Sequence, residues 1–520
     1  MIYVTPSAGH IVMPWRQDLH TLIPHGRRMT HGGQDLLIIP NERDEARLAR
    51  NLGVEVPSPI ATRYDWDKHH PPAWDVQKIT AALLVESTRA YVLSTMGTGK
   101  TRSVLFAYDY LRQRGQLRGP MLITAPLSTL TPVWEREIFG VLPSAKVSVI
   151  YGDRAKRSQR LAAPADIYII NHHGLPIMHA ELAAKGFGLF VIDELAILRN
   201  RSTNLWKGAH TVVQAPKMQF VWGLTGSPTP NAPTDAFAQM RLITPNTTVK
   251  TMAQFRDLTM TQVSAFRHLA RPDANETIHR MMQPSVRYTR EDVMELPETT
   301  YVDRDVPLDP KTAEAYKMLH TKMRLALATK SVTAVNEGVL QNKLLQVSCG
   351  FIYADDKTVY ALPAKGRLDA LEETIQETDR KFIVFAPFVH AIDGIMKHLQ
   401  KAGYDVAAVH GATSRANRDK IFQGFQDGAS PRGIVAHPGA MSHGLTLTAA
   451  NTVIWYGPVQ SNETYEQANA RVTRPGQTAK TFIVHLVGTQ VERATYRRLK
   501  QKQKMQGLLL DMFKQQALNF

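Results

Sequence analysis

Cysteine is almost missing from this chain: of 520 residues only Cys349 is one. A single thiol excludes an internal disulfide and any cysteine-built zinc or iron–sulfur centre. Within LLQVSCGFIY it reads as a small core residue. Long apolar runs are absent as well, none approaching the ~18 residues that cross a bilayer. The opening MIYVTPSAGHIVMPWRQ lacks the charged start and continuous apolar stretch of a secretory signal. The expectation is an intracellular protein, cytoplasmic in a bacterial or phage-infected host and nuclear in a eukaryote. Acid is the scarcer charge, with 46 Asp and Glu against 62 Lys and Arg and a formal net charge of +16. That excess points to a polyanionic partner, nucleic acid ahead of an anionic membrane surface. Low-complexity tracts and solenoid-length repeats are also missing. What remains is an ordinary globular composition, 43% apolar and 21% charged, in a chain long enough for about three domains.

Five stretches differ in character. Residues 1–65 form a leading accessory segment with a strand signal at 35–40 and a helix signal at 42–51. It contacts a nucleic acid, packs on the rest of the protein, or is a simple extension. Over 66–245, apolar strands at 90–94, 120–125, 146–150, 167–170, 189–193 and 219–224 alternate with amphipathic helices, which implies a parallel sheet covered on both faces. Residues 246–365 read as a helical insertion and linker, with a strand near 299–306. A second alternating block, 366–490, has strands near 382–386, 405–409, 433–436, 452–456 and 481–486. Residues 491–520 read as one basic helix, either a solvated face or a brace and nucleic-acid contact.

Two segments carry chemistry. YVLSTMGTGKTRSVLF, from residue 91, reads as strand, glycine-rich loop and helix. Gly97 and Gly99 let backbone N–H groups approach phosphates, and the helix N-terminus that follows favours their charge. Met96, Gly97, Thr98, Gly99, Lys100 and Thr101 are the expected nucleotide-binding residues. Lys100 reaches the β- and γ-phosphates, and the Thr101 hydroxyl holds Mg²⁺. Ser94 stands where the usual G-x-x-x-x-G-K-[ST] pattern has glycine. Further on, GLFVIDELAILRN sets Asp193 and Glu194 at the carboxyl end of a buried strand, where α/β sheets place ligand chemistry. Asp193 is the second expected Mg²⁺ ligand and Glu194 the base that orients and deprotonates the attacking water.

With these and six further motifs in order, the chain resembles a superfamily 2 helicase of the Swi/Snf-type branch. LITAPLSTLTPVWEREI (122–138) and LTGSPTPN (224–231) resemble that family's DNA-contacting and coupling motifs of the first lobe. VHGATSRANR (409–418) and GLTLTAANTVIWYGP (444–458) resemble those of the second. YEQANARVTRPGQ (465–477) matches a Gln-x-x-x-Arg-x-x-Arg-x-Gly-Gln spacing at Gln467, Arg471, Arg474, Gly476 and Gln477. PPAWDVQKI resembles the adenine-side motif, with Gln77 reading the base. DELA stands where relatives have DEAH or DEAD, and Ser227 replaces a threonine.

The resemblance implies an α/β fold of two tandem RecA-like lobes with a helical insertion. It implies ATP and Mg²⁺ as cofactors, Arg471 and Arg474 on one helix face as the guanidiniums that meet the transferring phosphoryl group, and Gln467 beside the nucleotide. It places DNA contacts at Pro126, Ser128, Thr225, Ser227, His410, Gly411, Arg415, Ser442, Gly444 and Thr448. The expected activity is ATP-driven movement on duplex, forked or branched DNA with little sequence preference. The compact chain is similar to small annealing helicases and phage branch-migration or replication-fork helicases, with replication or recombination proteins as partners. The alternatives are an RNA helicase and a non-catalytic DNA-loading factor. The adjacent pairs His69–His70 and His172–His173 do not face one site, and Trp134 and Tyr465 read as packing residues ahead of base-stacking ones.

Overall fold

Short, almost wholly apolar strands decide the architecture, because a strand apolar on both faces must be covered on both. The computed structural model describes residues 3–5, 9–264, 267–293, 297–329, 334–354, 356, 358–441, 446–474 and 476–502. The described chain divides into two compact units, one of residues up to 260 with 270–293, the other of 261–269 with 297–502.

The first unit opens with β1 (Tyr3–Thr5), β2 (His10–Pro14), β3 (Arg27–His31) and β4 (Gln34–Pro40), an antiparallel sheet ordered β1-β2-β4-β3. Ile11, Met13, Leu37 and Ile39 pack there on Leu19, Ala46 and Ala49 of helices Gln17–Leu22 and Arg43–Asn51. Next come β5 (Arg89–Val92), β6 (Met121–Ala125), β7 (Val147–Ile150), β8 (Ile167–Asn171), β9 (Leu189–Asp193) and β10 (Phe220–Leu224). A short pair, β11 (Met260–Ser264) and β12 (Arg267–Ala270), falls almost wholly in the other unit, and β13 (Ser285–Val286) then completes a seven-stranded sheet ordered β13-β5-β10-β9-β6-β8-β7. All of its pairs are parallel. Alternate residues serve opposite cores: Leu122, Phe190, Ile192 and Val221 on one face, Ile123, Val191, Trp222 and Val92 on the other.

The second unit repeats the plan with β14 (Thr299–Asp305), an antiparallel pair β15 (Phe351–Tyr353) and β16 (Val359–Ala361), then β17 (Lys381–Phe385), β18 (Val406–Val409), β19 (Gly433–Ala436), β20 (Ala450–Trp455) and β21 (Thr481–Val487). Its parallel sheet runs β14-β21-β20-β17-β19-β18. These are two RecA-like α/β lobes. Each strand expected in the two alternating blocks forms within two residues of its expected ends.

One finding departs from the sequence reading. The stretch 246–365 holds helices Met252–Thr259, Ala274–Met281, Pro310–Thr329 and Ala334–Ser348 and, as β14, the strand expected near 299–306, which joins the second sheet; it also supplies the unexpected β13 to the first sheet. A two-residue strand behind a proline leaves no period to read. The basic C-terminal helix is seen over 490–502, and the rest of its expected span lies outside the described residues.

Candidate active site

Strand order brings the chemistry together. Strand β10 lies between β5 and β9, and Leu224 pairs with both Val92 and Asp193, so three carboxyl ends finish level. On the far side of β9, Thr124 of β6 pairs with Ile192. On the far side of β5, Val286 of β13 pairs with Val92. The phosphate loop, the Asp-Glu pair, LTGSPTPN, the loop after β6 and the segment after β13 therefore leave one sheet edge side by side.

The loop from β5 enters helix Lys100–Gln113 through Gly99, with Gly97 at φ 90° and Gly99 at φ 77°. A side chain at 99 would be doubly excluded. Its φ is left-handed, and a Cβ there would sit 2.0 Å from Gln77 Nε2. Lys100 Nζ donates to the carbonyls of Ser94 (2.6 Å) and Thr95 (3.1 Å), and Thr98 Oγ1 donates to Thr95 O (2.9 Å). Burial pulls the Lys100 ammonium down, opposed by the charges of Glu194 and Asp193. Free first-turn N–H groups and a lysine over a glycine loop make an anion cradle.

Ser94, the departure from the usual pattern, has a specific task. Its Oγ accepts the Tyr288 N–H at 2.9 Å, the Thr95 N–H reaches Tyr288 O at 2.9 Å, and Leu93 N–H reaches Val286 O at 2.8 Å. Arg287 Nη1 donates to Leu93 O (2.9 Å) and Arg290 Nε to Met96 O (2.8 Å). The segment after β13 thus clasps the loop along its length. Sequence reasoning missed this; the signal was the pair of arginines in RYTRED together with the missing glycine.

Asp193 closes β9. Its Oδ1 accepts the Glu194 N–H (3.1 Å) and its Oδ2 the indole N–H of Trp134 (2.9 Å). Burial raises this carboxyl, with Trp134 and then Lys100 opposing. Glu194 sits in the left-handed region at φ 56°, ψ 54°, the one such non-glycine residue among those described. The Thr225 hydroxyl lies 3.5 Å from Glu194 Oε1 and accepts the Ser227 N–H at 3.2 Å. One carboxylate with lone pairs to spare and the Thr101 hydroxyl fit Mg²⁺, which takes one or two carboxylates and completes its shell with water and substrate phosphate. No group of three or more His, Cys, Asp and Glu that could hold a metal gathers among the described residues.

Several expected site residues stand elsewhere than expected. Gln77 is 2% exposed, its Oε1 accepts the Trp74 N–H (3.0 Å) at the start of its own helix, and its Nε2 lies against Gly99. Thr225 is buried and faces Glu194, which assigns its side chain to the acid pair and not to a DNA surface. Thr448 is buried too, its hydroxyl accepting from Gln426 (3.2 Å). Arg471 and Arg474 share no helix face. Their helix, Asn462–Asn469, ends first, and Arg471 N–H to Ala468 O and Val472 N–H to Asn469 O wind the chain into turns. Gln477 pins those turns, donating to Ala450 O (2.8 Å) and Val472 O (3.2 Å). Arg471 is fully buried, whereas Arg474 and Gln467 are half-buried. Gly411 and Arg415 are exposed at the start of helix Arg415–Asp427, His410 and Ser227 half-buried. Pro126 precedes a tight turn whose backbone includes Ser128. Ser442 and Gly444 lie outside the described residues.

The order of motifs on this edge agrees with what comparison finds. A family model for the SNF2-related domain matches residues 87–350, just over half of the chain, and one for the helicase conserved C-terminal domain matches 366–476. Protein p41 of the Acyrthosiphon pisum secondary endosymbiont phage 1 is 24% identical, over 83% of this chain and 96% of its own. An uncharacterized ATP-dependent helicase of Mycoplasma genitalium is 26% identical over 75% of this chain, which spans 37% of that protein. The SWI/SNF-related matrix-associated actin-dependent regulator of chromatin subfamily A-like protein 1 of Drosophila melanogaster is 23% identical over 78% of this chain, which spans 51% of it. Among solved structures, the Sulfolobus solfataricus SWI2/SNF2 ATPase core in complex with dsDNA aligns over 85% of this chain and 94% of its own at 21% identity and a TM-score of 0.40. The chain belongs to the SNF2-related family of superfamily 2 and is an ATP-dependent, helicase-type ATPase.

Proposed function

We propose that this protein is a DNA-dependent motor that moves along DNA with little sequence preference and remodels forked or branched duplexes. The observation that carries the reading is the register-matched alignment of the strand ends Val92, Leu224 and Asp193, from which Lys100, Thr225 and Glu194 follow, in a chain of net charge +16. On ATP binding, Lys100 exchanges the Ser94 and Thr95 carbonyls for phosphate oxygens, and the loop N–H groups donate to the same triphosphate. Asp193 and Thr101 would hold Mg²⁺, which when bound neutralises charge on the β- and γ-phosphate oxygens. Glu194 orients the attacking water and takes its proton, with Thr225 fixing the carboxylate. Arg471 and Arg474 would supply guanidinium charge to the transferring phosphoryl group. Such a site gives the closed and open motor different affinities for ATP and its products, which is what converts hydrolysis into movement. Segments 126–131 and 410–415 would grip the backbone phosphates, which position a protein without reading sequence.

The test compares phosphate release and strand displacement on duplex, forked, four-way-junction and RNA substrates. The expected result is ATPase stimulated by DNA of any sequence and little by RNA. Glu194→Gln should lower turnover by roughly 10²–10⁴-fold while leaving ATP binding intact. A parent protein whose phosphate release ignores DNA, or a Glu194→Gln variant as active as the parent, would overturn the reading.

A further inference from the structure

Trp134 is a large side chain buried where packing alone does not explain its orientation. Its indole is fully buried, and its one N–H is spent on Asp193 Oδ2 at 2.9 Å. A buried indole N–H takes an acceptor, and here the acceptor is the carboxylate assigned to the metal. The backbone beneath it is irregular. After Pro126 the chain makes a tight turn at Leu127–Thr129, then a wide π-helical turn at Leu130–Glu135, with the Arg136 N–H reaching back five residues to Thr131 O, before helix Arg136–Val141. A π turn holds one residue more than an α turn, so rewinding it would rotate residue 134 by about 100° about the helix axis. That rotation would take the N–H off Asp193.

We propose that Trp134 is a positioning residue that sets the Asp193 carboxylate for Mg²⁺ and ties its orientation to the loop at 126–131. The inference rests on the preceding reading, in which Asp193 holds Mg²⁺ and that loop faces DNA. Asp193 Oδ1 is anchored by its own neighbour's N–H, so Trp134 is the anchor that arrives from another strand's loop. Movement in the loop is thereby felt at the metal carboxylate, giving DNA a route to the hydrolytic site. Partners behind a metal ligand typically govern affinity by 10–100-fold.

Three variants test this: Trp134→Phe, replacement of Trp134 by 3-benzothienylalanine (the same shape with sulfur in place of N–H), and Trp222→Phe. Trp222 is an equally buried indole whose N–H goes to Ser87 O, away from the site. Two quantities are read: the Mg²⁺ midpoint for binding a fluorescent non-hydrolysable ATP analogue, and the ratio of ATPase with and without duplex DNA. Both Trp134 replacements should raise the Mg²⁺ midpoint about 10-fold or more and depress the ratio, while Trp222→Phe changes neither. A benzothienyl protein with the parent's Mg²⁺ midpoint overturns the positioning role. A shifted midpoint with undiminished stimulation overturns the link to the loop. Absence of DNA stimulation in the parent would instead sink the motor reading, and the Mg²⁺ midpoint would still report on Trp134 and Asp193.

Discussion

Glu194 shows what one residue can cost and return. A non-glycine side chain in the left-handed region costs about 1–2 kcal/mol. The chain accepts it because β9 must turn at once into the short helix Leu195–Leu198 and bury Leu195 under β10. Gly223 makes that room, since a Cβ there would lie 2.6 Å from Leu195 Cδ2. The outcome is a carboxylate aimed at Thr225 and away from the core. Ser94 argues in the same way. Restoring the commoner glycine should weaken the protein, because Ser94→Gly removes the acceptor of a buried backbone N–H and loosens the loop. The expected loss is about 1–3 kcal/mol in urea unfolding, together with a raised KM for ATP. An unchanged midpoint and KM would show that the clasp is idle.

At the scale of elements, polar groups buried in the second lobe hold its helices to its sheet. Arg367 donates to Tyr456 O (2.8 Å), Ser348 O (3.0 Å) and Leu486 O (2.9 Å), and pairs with Glu492. Glu492 Oε2 in turn accepts the N–H groups of Gly488 (2.9 Å) and Thr489 (3.0 Å), capping helix 490–502. Removing one partner strands a buried charge, so Arg367→Met should cost about 3–5 kcal/mol, read as a lower denaturation midpoint. A second network joins β14, β21 and helix Asn462–Asn469. His485 donates from Nδ1 to Asp303 (2.7 Å) and accepts at Nε2 from the Tyr465 hydroxyl (2.7 Å), with Tyr496 stacked on the ring. Burial lowers this imidazole, Asp303 opposing and Lys500 assisting. The unfolded chain therefore binds the proton more readily. Stability from the neutral ring is fully present above the unfolded value near 6.5 and is lost as pH falls towards the lower folded value. Urea midpoints should drop between about pH 7 and pH 5, and His485→Gln should flatten that slope. A variant with the parent's slope would rule the ring out as its source.

For the molecule as a whole, the excess positive charge should make the proposed DNA binding a salt-dependent quantity. Six or more phosphate contacts would cost roughly a thousandfold in affinity between 50 and 200 mM salt, and a titration with short duplexes of unrelated sequence should give one common slope. A slope near zero would mean that the charge serves something else. No described helix is long and apolar enough to cross a membrane. Much of this was legible in advance. A run such as IYIIN or LFVID cannot be left half-exposed, so the parallel strands could be found within two residues, and a glycine loop before a helix announces phosphate binding. What escaped notice was local pattern without period. Ser285–Val286 is too short to read, and the turn carrying Arg471 and Arg474 keeps helical spacing after the helix has ended.

Sequence by itself determined which side chains are available: the lysine, the acid pair, the hydroxyls and the arginines, each at a strand end or loop that its own neighbours dictate. Only the tertiary structure decided who stands beside whom. Parallel strands joined by crossover helices need not be neighbours in the order they are made. The sequence 13-5-10-9-6 across the sheet therefore could not be read from the chain. That order alone sets Arg290 against Met96 and Trp134 against Asp193.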